Sequence, residues 1–121
     1  MQFFADTYAL VDFVRGNKAY RKYFDENEII TTRLNLLELY YWTIKNDSQE
    51  NAEEYYDSFL KNTLEIEDET LKKAAQFRLE HKKQNISYID AIGYKIALEK
   101  NIKFLTGDRE FKNMENVEFV K

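Results

Sequence analysis

Residues 3–17 read FFADTYALVDFVRGN, and this stretch sets a carboxylate, Asp6, between a short apolar run and the first turn of a helix. Gln2 to Ala5 has the character of a strand, Leu10, Phe13 and Val14 share one helical face, and Gly16 supplies a C-terminal stop. The order is strand, acid, helix. Asp6 therefore reads either as a helix cap or as one corner of a site, and the choice depends on whether other acids can meet it.

Working outward, a polar, aromatic-rich helix is expected from Asn17 to Phe24, then a short buried strand in EIIT (28–31) and a helix from Arg33 to Lys45. An acidic helix follows from Ser48 to Leu60. TLEI (63–66) alternates like a further strand, and Asp68 stands where an N-cap would start the next helix. Leu71, Ala74, Ala75 and Leu79 are spaced as the inner face of that helix. The last helix begins near Ser87, with Ile89, Ile92, Gly93, Ile96 and Ala97 at the same spacing. The strand IKFLT (102–106), the turn GDREF (107–111) and the short strand VEFV (117–120) complete the chain. Strands alternating with helices imply an α/β fold whose mostly parallel sheet is covered on both faces.

At 121 residues the chain suits a single domain spanning 1–121. Its 44% hydrophobic, 33% charged and 16% aromatic residues are those of a folded globular protein. The absence of cysteine excludes disulfides and thiolate metal sites, and a single histidine excludes imidazole-rich ones. The N-terminal stretch carries Asp6 and Asp12 and does not read as a signal peptide, and no run approaches a membrane span, so the expected location is the cytoplasm. A net charge of −4 argues against a general nucleic-acid coat protein but leaves room for a local basic surface. With no proline and only three glycines, no linker or repeat divides the chain.

In open α/β sheets functional groups gather beyond the carboxyl ends of the strands. Asp6 directly follows the first strand, and Asp108 follows IKFLT by one glycine. Glu38 lies between Leu34 and Trp42 on a helical wheel, on a face shared with Leu37 and Tyr41, so it faces inward or borders the core with no neighbouring base to neutralise it. Asp90 is the third residue after Ser87 and satisfies a loose capping-box pattern. Singly, Asp6, Asp90 and Asp108 read as ordinary caps or turn residues, whereas Glu38, costly there without a partner, reads as a functional acid rather than a structural half-buried one. Together they say more. Carboxylates within about 5 Å repel by roughly 3 kcal/mol per ionised pair at an effective dielectric of about 20, so such a cluster must protonate or hold a cation. Oxygen-only ligands favour Mg²⁺ or Mn²⁺ over Zn²⁺.

Other groups weigh less. His81, in LEHKKQ, reads as an exposed helix residue and Asp12 as a solvated one. The aromatics of LELYYW read as core rather than as a base-stacking platform. Gly16 lacks the glycine-rich surroundings of a phosphate loop.

Taken together, ADTYALVDFVRGN around Asp6, LNLLELYYW around Glu38, ISYIDAIGYKIALEKNIKFLTGDREF carrying Asp90 and Asp108, and the closing VEFV resemble a PIN domain, the nuclease fold of VapC-type toxins in toxin–antitoxin pairs. The resemblance spans nearly the whole chain. It implies a five-stranded parallel sheet between helices, and a metal site formed by Asp6, Glu38, Asp90 and Asp108. Thr106 is implied as a supporting catalytic hydroxyl, with Thr7 a weaker candidate. Tyr8, where many relatives have Asn, and Gly93-Tyr94, where small apolar residues are commoner, depart from the pattern. The implied activity is Mg²⁺- or Mn²⁺-dependent hydrolysis of RNA by water, leaving 5′-phosphate and 3′-hydroxyl ends. The implied partners are an RNA substrate, a small antitoxin and a second copy in a homodimer.

Arg15, Lys18, Arg21, Lys22, Arg33, Lys45 and Arg109 flank these motifs and could supply cations for phosphate, although each also reads as a solvated surface base. Two alternatives stay open: an RNA-processing PIN nuclease without an antitoxin, and a non-catalytic PIN-like module acting through protein contacts. An aspartyl-nucleophile phosphoryl-transfer enzyme is disfavoured, because the DxD pair it requires is absent from ADTYALVD.

Overall fold

The computed structural model describes residues 1–121. Its sheet has the order β2-β1-β3-β4, with β1 Gln2–Ala5, β2 Glu28–Ile30, β3 Lys103–Thr106 and β4 Val117–Phe119, all paired in parallel. Six α-helices connect and cover it: α1 Thr7–Val14, α2 Arg21–Glu26, α3 Arg33–Asn46, α4 Gln49–Leu60, α5 Asp68–Glu80 and α6 Tyr88–Lys100. The expected helix from Asn17 is split, a 3₁₀ turn over Lys18–Tyr20 preceding α2. No helix is long and apolar enough to cross a membrane.

The register places Ala5 beside Leu105 and Thr106 beside Phe119. The chain therefore leaves β1, β3 and β4 at one edge of the sheet, where Asp6, Asp108 and Lys121 lie in that lateral order. Alternating side chains divide the core between the two faces. Phe4 and Phe104 look toward α6, together with Phe77, Tyr94 and Phe111, while Phe3, Ala5 and Leu105 look toward α1 and α3.

α6 lies close to its face because Gly93 has no side chain. A Cβ there would come within 2.6 Å of the Phe4 ring and 3.3 Å of Phe104. The residue that departs from the family pattern thus sets the depth of the helix carrying Asp90. Tyr94 is buried beside it and donates its hydroxyl proton to the Glu115 carbonyl at 2.8 Å.

The sheet has four strands where five are expected. Residues 63–66 make one parallel bridge, Thr63 to Thr31, with the Thr31 N–H donating to Asn62 O and the Leu64 N–H to Thr31 O. Beyond that point Thr32 caps α3, so β2 offers no further ladder, and Leu64 and Ile66 pack on the core from a single extended crossing. α5 also differs from expectation. Its cap is Glu67 without a side-chain bond, and its buried residues are Thr70, Ala74 and Phe77, while Leu71 and Leu79 are 43% and 69% exposed. α6 meets α5 on the Ala74–Phe77 side, which leaves the leucine stripe outside.

Candidate active site

Asp6 is only 2% exposed and serves as the N-cap of α1, its Oδ1 accepting the Ala9 N–H at 2.9 Å. Its other oxygen accepts a short hydrogen bond from the Thr106 hydroxyl. Thr106 Oγ1 in turn accepts the Asp108 N–H at 3.0 Å, so one buried hydroxyl ties the ends of β1 and β3 together. Asp108 caps the 3₁₀ turn Arg109–Phe111 through the Glu110 N–H at 3.0 Å. Asp90 completes a capping box with Ser87, the Ser87 N–H donating to its Oδ2 and its own N–H to Ser87 Oγ, both at 3.1 Å.

Glu38 is half-buried on α3 and accepts a short hydrogen bond from the Thr7 hydroxyl. The Asn35 amide donates to Thr7 Oγ1 at 3.1 Å, and the Thr32 hydroxyl donates to Asn35 Oδ1 at 2.6 Å. This relay links the cap of α3 to the first turn of α1. Asn35 escaped the sequence reading, although its place three residues after the capping Thr32 is a usable signal.

The four acids line one cleft with Thr7, Tyr8, Val11, Leu37, Tyr41, Trp42, Asn85 and Ser87. No Lys or Arg lines it, so none of the seven flanking bases reaches its wall. Nor is any of the four in an ion pair. Burial raises the Asp6 carboxyl to about 8, the hydrogen bonds from Thr106 and Ala9 opposing it and the charges of Asp90 and Asp108 adding to it. Burial also raises Asp90, offset by its bonds to Ser87 and reinforced by Asp108 and Glu38. The acids sense one another, yet no three are gathered tightly enough to form a closed cation cage. Their donor chemistry nevertheless fits a hard divalent cation: oxygen only, anionic and uncompensated.

Three expectations change. Tyr41 and Leu37 are 61% and 59% exposed on the cleft wall rather than in the core. Asp12 is clasped by the Asn17 amide at 2.9 Å and by Arg15 at 3.5 Å, closing the end of α1 instead of being solvated. His81 is half-buried, its Nδ1 2.9 Å from Phe77 O and its ring centroid 4.1 Å from that of Phe77, away from the cleft.

A single sheet edge with acids after β1 and β3, and two more brought in by α3 and α6, defines an α/β protein built around an acid cleft. The PIN domain family model matches residues 3–117, and the chain belongs to that family. No curated protein matches it by sequence. Among solved structures it is similar to a sarcin-ricin loop cleaving toxin from Mycobacterium tuberculosis, with a TM-score of 0.81, 14% identity, and coverage of 96% of this chain and 97% of that one. It is also similar to a DNA-bound VapBC from Salmonella typhimurium (TM-score 0.78, 19% identity, 99% and 97% covered). A toxin–antitoxin complex from Klebsiella pneumoniae is a further relative in fold (0.75, 17%, 95% and 94%).

Proposed function

We propose that the chain is a single-domain ribonuclease, a hydrolase dependent on a divalent cation, and the toxin of a VapBC-type toxin–antitoxin pair acting in the cytoplasm. One observation carries the reading: four carboxylates line a single cleft at the carboxyl edge of the sheet, with no basic side chain among them. The Mycobacterium, Salmonella and Klebsiella proteins of similar fold are toxins or toxin–antitoxin complexes, which supports a small antitoxin as partner. A homodimer is proposed on the same family ground.

Asp6, Glu38, Asp90 and Asp108 would hold Mg²⁺ or Mn²⁺, which supplies positive charge to the scissile phosphate and activates water for attack. The chain's own neutral donors do the rest. Thr106 orients Asp6 and, through the Asp108 N–H, the loop that carries Asp108. Thr7, steadied by Asn35 and Thr32, orients Glu38. Because these partners are hydroxyls and amides rather than Lys or Arg, they fix geometry without cancelling charge. Attack by water leaves 5′-phosphate and 3′-hydroxyl ends.

The test is cleavage of single-stranded or looped RNA by purified protein with Mn²⁺ or Mg²⁺, abolished by EDTA. Activity undiminished by exhaustive chelation would sink the proposal. A second reading, a non-catalytic PIN module, is favoured by the open arrangement of the acids. It predicts neither cleavage nor any rise in melting temperature with Mn²⁺.

A further inference from the structure

Beside the acid cleft runs a second groove, lined by Lys18, Arg21, Lys22 and Lys121 together with Tyr23, Phe119 and the acids Asp25 and Glu26. Lys18 belongs to the 3₁₀ turn, Arg21 and Lys22 open α2, and Lys121 follows β4. None of these cations is paired with a carboxylate, even though Asp25 and Glu26 stand in the same groove. The protein's two ion pairs, Arg15 with Asp12 and Lys73 with Glu99, lie elsewhere. Four unpaired cations sharing one groove in a chain of net charge −4 form a local anion-receptive surface.

The groove is joined to the cleft by one residue. Lys121 lines it and donates from Nζ to Tyr8 Oη at 3.0 Å, with its ammonium 5.1 Å from the Tyr8 ring centroid, and Tyr8 lines the acid cleft. The junction is close-packed. A Cβ on Gly107 would come within 2.5 Å of Val120 O and 2.9 Å of Tyr20 Oη, so only glycine lets the turn before Asp108 lie against the segment leading to Lys121. Along the sheet edge the order is thus Asp6, Asp108, Lys121.

We propose that this groove is the track for the phosphate backbone of the single-stranded RNA whose scissile bond lies in the acid cleft, with Tyr8 and Lys121 as the threshold between the two. The inference rests on the ribonuclease reading and adds to it which of the chain's cations hold substrate. An acid cleft without a Lys or Arg repels a polyanion, so affinity has to come from phosphates bound outside it. The groove, linked to the cleft through Lys121 and Tyr8, supplies that contact; Arg33, Lys45 and Arg109 line neither the cleft nor the groove.

The test measures binding of a fluorescein-labelled single-stranded RNA by anisotropy in EDTA across a salt series, for the parent, Lys22→Ala/Lys121→Ala and the single variant Arg21→Gln. The double variant is expected to bind roughly 10-fold or more weakly. The slope of log K against log salt should shrink by about 1.4, from about 0.7 per phosphate contact on a single strand. Arg21→Gln, at an exposed site, should shift the slope by about half as much, which guards against a fold defect in the double variant. Under Mn²⁺ the double variant should raise KM with kcat little changed. Parent-like affinity and slope in both variants overturn the track while leaving the nuclease standing. So does a parent that cleaves with Mn²⁺ but does not bind in EDTA, or one whose RNA is displaced equally well by polyglutamate, which marks the groove as a site for an acidic polypeptide. Absence of cleavage with any divalent cation instead overturns the ribonuclease reading, and the track with it.

Discussion

Around Gly93, α6 sinks into a cluster of rings in which Phe4 and Phe104 stack with centroids 5.9 Å apart and Phe111 lies 4.8 Å from Phe104. One turn earlier, the same helix presents Asp90 to three other carboxylates with no cation among them. The ring cluster gains stability from every contact, and its atoms have no chemistry to perform. The cleft does the reverse, since burial and like charge raise Asp6 and Asp90 and only hydroxyls and backbone N–H groups offset that cost. Truncation should therefore hurt stability in the first region, whereas neutralisation in the second should hurt activity and spare stability.

The largest effect tests the first half of this contrast. Phe104 is fully buried, so Phe104→Ala is expected to cost about 3–5 kcal/mol in urea unfolding, by lost transfer energy and the cavity left behind. A loss under 1 kcal/mol would mean that the cluster collapses freely and α6 is held elsewhere.

Glu38→Gln tests the second half. Its amide oxygen can still accept from Thr7, and the charge that helps raise Asp90 is removed. RNA cleavage should fall by about 10²-fold or more, equivalent to about 2.7 kcal/mol, while stability without metal is kept or raised. A metal-free variant melting well below the parent would make Glu38 a structural acid.

Asp90→Asn sharpens the comparison further, because Asp90 carries both a cap and a charge. Asn caps nearly as well, so capping alone costs a few tenths of a kcal/mol. If Asp90 also holds the cation, Mn²⁺ should stabilise the parent more than the variant. At 100 times Kd the gain is about 2.7 kcal/mol; a 30-fold weaker site gains only about 0.9 kcal/mol at the same concentration. Equal metal-induced shifts with unchanged cleavage would leave Asp90 a cap and nothing more.

What could be read in the sequence follows from range. Asp6 directly follows its strand and Asp108 follows its own by one glycine, and the Ser87–Asp90 box is complete within four residues, so local pattern sufficed to place them. α5 defeated the same logic. Leu71, Ala75 and Leu79 make as good a stripe as Thr70, Ala74 and Phe77, and only the position of α6 selects between them. The TLEI segment alternates correctly but meets β2 where that strand has already turned to cap α3. The relay from Asn35 to Thr7 and the contact of Lys121 with Tyr8 join residues 28 and 113 positions apart, beyond any periodicity.

The pH dependence of metal-free stability is the most direct measure of what burying Asp6 costs. The Asp6 carboxyl is raised from its ordinary 3.8 to about 8, so between those values the native state holds a proton that the unfolded chain has released. Stability rises with pH where the unfolded state binds more protons; here the native state binds more, so the sign is negative. Metal-free stability should fall as pH climbs from about 4 to about 8. Asp90, also raised, acts in the same direction. Asp6→Asn keeps an oxygen for the Ala9 N–H and removes the titration, so its metal-free melting temperature should decline less steeply over that range. With Mn²⁺ the dependence of the gain should reverse, since cation and proton compete for the same oxygens and the metal-induced rise should grow with pH. Parallel melting curves for parent and Asp6→Asn, with and without Mn²⁺, would show that burial stores no cost at Asp6 and that the cleft obeys the same rule as the rings beneath it.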